Sequence, residues 1–239
     1  MLQLLCITAM TLVFMAWERL HPGRKLPPVR GWYLRAILLN LCQLGLVYIA
    51  GITWNRWLQG RSLLQVTDTL PDILAGLLFW LFGTFIFYWW HRLRHQNGWW
   101  QIFHQVHHSP TRIETLTSFY KHPFEMAINS ILISLIVYGL FGGSIEAAAW
   151  YNVFAVFAEF FYHMNVRTPH WIGYFIQRPE QHSIHHATRI HRYNFGDLTL
   201  WDRLFGTFKD TDAFAERCGF EDSCEDQLTK MLTFKDVQK

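Results

Sequence analysis

The sequence predicts an all-α, polytopic membrane bundle of about four to five apolar helices with a helical cap on its cytosolic side. Three observations predict it. Of the 239 residues, 51% are hydrophobic and only 16% charged, with 20 Phe and 12 Trp, whereas soluble domains carry about a quarter charged residues. Five apolar runs are separated by short polar connections. Trp17, Trp32, Trp54, Trp57, Trp89 and Trp90 stand at the ends of those runs, as an interfacial aromatic belt would.

The runs cover about 2–17, 32–54, 70–90, 127–141 and 145–162. A spanning helix needs about 20 predominantly apolar residues. The second and third runs meet that length, and the first, fourth and fifth are marginal. The stretch "LFGGSIE" between the last two reads as a tight turn, so they form a hairpin that need not cross fully. The segments at about 91–122 and 163–239 are polar enough to form the cap, and the whole chain reads as one membrane-embedded domain. The N-terminal run lacks a basic n-region and a cleavage site and is expected to be retained.

Charge orients the bundle. The first connection carries Arg19, Arg24, Lys25, Arg30 and Arg35, the second only Arg56 and Arg61. The positive-inside rule places the first in the cytoplasm. Counting spans from there puts the polar segments at about 91–122 and 163–239 on the same side. The net charge of +3 is too small to argue for nucleic acid, and no basic block interleaved with aromatics occurs. Cys6, Cys42, Cys218 and Cys224 form no C-x-x-C pair, so neither a disulfide framework nor a thiolate metal site is expected.

Histidine carries the chemistry. "HRLRH" contains His91 and His95, "FHQVHHSP" contains His104, His107 and His108, and "EQHSIHHAT" repeats the H-x-x-H-H pattern with His182, His185 and His186. Residues i, i+3 and i+4 of a helix lie on one face, so each box presents its imidazoles together. A lone interfacial histidine is ordinarily a polar tip among headgroups. Three boxes at matched spacing, all predicted on one side of the membrane, point instead to metal ligation. Eight imidazoles exceed the four ligands of a tetrahedral zinc and suit two metal ions with four or five ligands each. Imidazole accepts iron, copper and zinc alike, so ligand type does not choose the metal.

His163 ends the fifth run and is read as a further ligand. Glu159, one turn earlier between "VFA" and "FFY", is expensive in an apolar setting unless paired. It is read as a hydrogen-bond partner of a ligating imidazole, and His122 in "KHPFE" as a supporting or interfacial group. His21, His170 and His191 are read as surface or structural residues.

The ordered boxes, H-x3-H then H-x2-H-H twice, resemble the fatty acid hydroxylase and sterol desaturase superfamily of integral-membrane di-iron oxygenases. "WERLHPGRK", "KHPFE", "YHMNV" and "NFGDLTLWDRLFGTF" resemble further segments of that family, so the similarity runs from about residue 17 to 208. The resemblance implies two iron ions, O2 as co-substrate, and hydroxylation or desaturation of a lipid C–H bond. The lipid is a sterol, fatty acyl chain, ether lipid or carotenoid reached from the bilayer. It carries the ligand role to His91, His95, His104, His107, His108, His182, His185 and His186, and to His163. Some members have a tenth histidine where Glu159 stands, and many have an acid where Arg192 stands, so those two roles do not transfer. A bacterial inner membrane is the expected location.

O2 activation needs two external electrons. The chain has no G-x-G-x-x-G, no C-x-x-C-H and no iron–sulfur cysteine spacing, so a ferredoxin or cytochrome with its reductase is implied. Arg92, Arg94, Arg112 and Lys121 offer it a basic docking face, or contact anionic headgroups. Two other classes compete. A membrane zinc hydrolase needs an activating carboxylate in a motif such as H-E-x-x-H, which is absent. A metal carrier needs polar ligands along a path through the bilayer, whereas these boxes collect on one side.

Overall fold

A computed structural model describes residues 1–190, 192–221 and 224–238. Five long helices form the body: α1 (Leu2–Leu20), α2 (Trp32–Ile52), α3 (Asp72–Arg94), α4 (Pro123–Ser134, continued by a π-helical stretch Leu135–Leu140) and α5 (Ile145–His163). Two short helices matter for the site, α6 (Pro179–His185) and α7 (Thr199–Leu204). Among the described residues the only β pairing is two isolated bridges. Four stretches are long and apolar enough to cross a bilayer: α1, Trp32–Leu58, α3 and Pro123–Leu140. The chain is therefore a membrane protein. The fifth expected run, α5, is not one of these four, yet it lies beside α3 through most of its length.

Local chemistry sets the helix ends. Pro123 and Pro179 occupy first-turn positions, where the missing N–H costs nothing. Ser144 caps α5 by accepting from the Ala147 N–H at 2.9 Å, and its hydroxyl donates to Asp72. The expected turn before α5 is present. Gly142 takes φ +65°, and a Cβ there would meet the Leu64 carbonyl oxygen at 2.5 Å, so the turn needs glycine twice over.

Contacts along the helices give their directions. A Cβ at Gly76 of α3 would meet Trp150 and Ala147 of α5 within 2.7 Å. Higher up, Trp80 faces Phe154 at 6.1 Å. The two helices thus run in parallel at close approach. Phe14 of α1 touches Phe157 and Phe160 of α5, so α1 runs the same way. The loop at 63–66 pairs its N–H groups with the 139–141 carbonyls at one end of the bundle. At the other end, Gly23 N–H donates to the Asn165 carbonyl, and Glu18 accepts from the Thr115 and Asn165 N–H groups. The basic first connection and the histidine segments therefore share one end of the bundle, as the span count predicted.

Three expectations change. Trp32 is no belt residue. It is buried, stacks on Tyr120 and donates its indole N–H to Glu114. The basic docking face largely disappears: Arg94, Arg112 and Lys121 are buried and paired with Glu125, Glu114 and Glu159 respectively. Of the four cations only Arg92 is partly open, and it lies over the Tyr88 and Trp89 rings. The cap does not lie wholly beyond the helix ends either. Trp201 of α7 donates its indole N–H to Thr84 in the middle of α3.

Candidate metal centre

The boxes are held on three supports. His91 sits in the last turn of α3, with His95 at its cap. The second box is not one continuous helix. The backbone breaks at His104 (φ −133°) between the short turns Trp100–Phe103 and Gln105–His108. The third box rides on α6, and His163 closes α5.

Nine histidines come together in two groups. One holds His91, His95, His104, His108 and His185, the other His107, His163, His182 and His186, and within each group the candidate donor atoms lie within 4.8 Å of one another. Eight of the nine are buried, and His95 is half-buried. The two H-x-x-H-H boxes are shared crosswise. His104 and His108 enter the five-membered group while His107 enters the other; His182 and His186 enter the four-membered group while His185 crosses back. Local helical rotation turns the adjacent rings, His107 from His108 and His185 from His186, apart, while the backbone break at His104 places that ring separately. At 3.6 residues per turn, i and i+4 differ by about 40° in direction and i+3 and i+4 by about 100°, so adjacent histidines face different centres.

Hydrogen bonding fixes the ring protons. His91 Nδ1 lies 2.7 Å from the Phe195 carbonyl oxygen, His185 Nδ1 2.6 Å from that of Tyr193, and His104 Nδ1 3.0 Å from the Glu125 carboxylate. An oxygen acceptor requires the proton on Nδ1, which leaves Nε2 of each neutral ring as a bare lone pair. Yet His91 Nε2 stands 2.8 Å from His104 Nε2 and 3.0 Å from His185 Nε2. Lone pairs do not face each other at that distance without a positive charge between them. In the other group His163 Nδ1 donates to the Glu159 carbonyl at 2.8 Å, and His163 Nε2 lies 3.3 Å from His107 Nε2 and 3.2 Å from His182 Nε2. With metal–nitrogen bonds of about 2.1 Å, ligands at right angles sit about 3.0 Å apart, which matches these spacings. Burial holds His104, His107, His108 and His182 well below the ordinary imidazole pKa, with the neighbouring imidazoles, and Arg94 beside His104 and Lys121 near His107, opposing protonation further. They are thus neutral, the form that ligates.

Around the cluster the expectations separate. Glu159 does partner His163, but through its backbone carbonyl. Its carboxylate binds Lys121 Nζ at 2.7 Å and stands 3.7 Å from His163 Nδ1. His122 is not brought to the cluster. It caps α4 by accepting from the Phe124 N–H, stacks on Phe234 and reaches the Leu232 carbonyl. His21 lies on Trp17, and His170 contacts Asp210 and Asp212. His191 lies outside the described residues. Arg192 is exposed over the Tyr193 ring.

Sequence reasoning missed three supports. Glu125 is fully buried between Arg94 and His104. Asp202 accepts from the Phe195 and Gly196 N–H groups and from Thr207 Oγ1. Asn194 donates to the Gln181 and Lys209 carbonyls. Asp202 and Asn194 together fix the loop whose carbonyls hold His91 and His185. Both lie in "NFGDLTLWDRLFGTF", the segment whose similarity to the family is the signal that could have found them.

A family model described as fatty acid hydroxylase matches residues 76–207, more than half of the chain, which includes all nine clustered histidines. The chain is 25% identical over 210 residues to fatty acid hydroxylase domain-containing protein 2 of Homo sapiens, covering 84% of this chain and 60% of that protein. It is 30% identical over 205 residues to a very-long-chain aldehyde decarbonylase of Oryza sativa subsp. indica, covering 78% of this chain and 31% of that protein. The chain thus spans less than two thirds of either relative's length. No solved structure matches.

Proposed function

Because the chain belongs to the fatty acid hydroxylase family, we propose that it is an O2-dependent oxidoreductase of the membrane. It would use two iron ions to hydroxylate or desaturate a C–H bond of a lipid such as a sterol, fatty acyl chain, ether lipid or carotenoid. The observation that supports this best is the set of facing Nε2 lone pairs of His91, His104 and His185 at 2.8–3.0 Å, a donor set that a cation satisfies.

The ions when bound supply O2 activation and oxidation of the C–H bond. The chain's own residues hold the rest of the chemistry in place. The five-histidine group would hold one ion and the four-histidine group the other. The Phe195 and Tyr193 carbonyls and Glu125 keep the ring protons of His91, His185 and His104 on Nδ1 and the lone pairs inward. Phe195 packs against His91, His95 and His185 and excludes water from that side. The two electrons come from a separate ferredoxin or cytochrome with its reductase. The basic 21–31 connection lies on the metal side, which supports a cytoplasmic orientation by the positive-inside rule, in a membrane such as the bacterial inner membrane.

The test is elemental analysis of protein purified without chelator or metal-affinity resin, followed by lipid analysis of producing cells grown under 18O2. Two irons per chain and an 18O-labelled or newly unsaturated lipid are expected. Zinc alone, with no lipid oxidation when reductant is supplied, would indicate the hydrolase reading instead.

A further inference from the structure

The cap contains a surface that the metal centre does not use. The 3-10 turn His170–Tyr174 and helix α7 lie side by side, joined by the Ile176–Leu198 bridge and by the bond from Thr199 N–H to the Phe175 carbonyl. Between them they present Trp171, Tyr174, Phe175, Leu200 and Leu204, each 54–68% exposed. Five large apolar side chains at adjacent positions form a patch, not the scattered exposure normal for a surface.

Its depth identifies what covers it. Trp201 bonds to Thr84 and packs on Phe85 at 5.0 Å, and Phe205 stacks on Tyr88 at 5.4 Å. Thr84 precedes Arg94 by ten residues, so at 1.5 Å per residue it lies about 15 Å below the metal-side end of α3. The hydrocarbon core is about 30 Å thick. Helix α7 therefore docks alongside a stretch of α3 that is itself inside the bilayer. Leu78, Leu81 and Phe82 on the same stretch of α3 are exposed apolar side chains as well.

Polar groups are arranged to suit. The bridge and the turns pair backbone groups within the unit, as a lipid environment demands. Asp202 is buried inward on the Phe195–Gly196 N–H groups. The one outward cation of α7, Arg203, folds over the Phe208 ring at 3.8 Å and donates to the Gly173 carbonyl, a long side chain laid along apolar surface. His170, with Asp210 and Asp212, forms the polar edge of the turn, its ring 5.8 Å from that of Tyr174.

We propose that the 171–175 stretch and α7 form an in-plane membrane anchor immersed in the leaflet on the metal-centre side, with acyl chains as the partner of the patch. The same unit leads into the 193–195 loop that holds His91 and His185, so a lipid-facing element adjoins the ligand supports directly. The inference does not depend on the metal or the reaction.

The experiment places a photo-reactive benzoylphenylalanine at Leu204, Phe175 or, as aqueous control, Asp212. The full chain is reconstituted in vesicles of phosphatidylethanolamine and phosphatidylglycerol, irradiated and analysed by intact mass. Phospholipid adducts at Leu204 and Phe175, at least about tenfold above Asp212, are expected. Equal labelling at all three positions, or covalent dimers of the chain in place of lipid adducts, would overturn the proposal. Failure of a labelled chain to fold is detected by loss of its monodisperse size-exclusion peak and helical circular dichroism, and Tyr174 then serves as the replacement position.

Discussion

Changing Glu125 to Gln keeps the size of the side chain and removes its charge. Glu125 is fully buried, and its carboxylate is shared between Arg94 and His104 Nδ1. Two consequences differ in kind. Arg94, itself buried, loses its counter-charge, and breaking one side of a buried pair costs about 3–5 kcal/mol. His104 loses a charged acceptor that fixes its ring, and loss of such a partner weakens metal binding about 10–100-fold, roughly 1.4–2.8 kcal/mol. Thermal unfolding measures the first effect, and metal content after dialysis against graded chelator measures the second. The double variant Arg94→Met/Glu125→Leu separates them. Removing both charges together is often near neutral for stability, so the melting temperature should recover while metal retention stays low. Wild-type metal retention in both Glu125→Gln and the double variant would refute the role assigned to Glu125.

Further outcomes follow from the same geometry. His104→Ala, His107→Ala and His185→Ala should each abolish activity while leaving membrane insertion intact. His95→Ala and His186→Ala should lower metal content towards one ion per chain from opposite groups, and a chain with either change that keeps two tightly held ions contradicts the grouping. Glu159→Gln should reduce metal retention by less than about tenfold, because the backbone carbonyl holds His163; a loss matching Glu125→Gln would show that the carboxylate does the holding. Cysteines introduced at Lys25 and Arg61 should react with impermeant reagents from opposite sides of the membrane, and labelling from the same side breaks the topology. Chelated protein should lose stability as pH falls below about 6.5. Burial depresses the folded pKa of His104, His107, His108 and His182, so only the unfolded chain takes up protons there. A flat melting temperature between pH 7 and 5 would contradict this.

What the sequence revealed divides by range. Apolar runs and i, i+4 histidine pairs are local patterns, and they located the long helices and eight of the nine clustered imidazoles. The ninth, His163, was legible because it ends an apolar run on the side that charge counting assigned to the boxes. Residues whose partners are set by tertiary folding, distant ones for Arg94, Lys121 and Trp32 and a neighbour two positions on for Arg112, were misread. Arg94, Arg112 and Lys121 look like a basic face until Glu125, Glu114 and Glu159 are brought beside them. Trp32 looks interfacial until Glu114, 82 residues later, accepts its N–H. His122 precedes a proline that begins a helix, a start signal that could have marked it as a cap.

The crosswise sharing of the boxes shows why these two kinds of information differ. A helical box fixes only relative directions: i with i+4, and i+3 turned about 100° from i+4. That geometry allows each H-x-x-H-H either to gather its rings on one face or to turn adjacent rings towards two centres. It does not say which centre receives the pair. That choice depends on the approach of the two supports, and the structure shows them entering with opposite assignments: His104 and His108 join His91 and His95, while His182 and His186 join His163 and His107. Each centre therefore takes ligands from both repeated boxes, so neither repeated box can leave without opening both. Bound metal should accordingly stabilise the whole metal-side assembly as a unit, with α3, α5, α6 and the 104–108 turn tied through the same two groups.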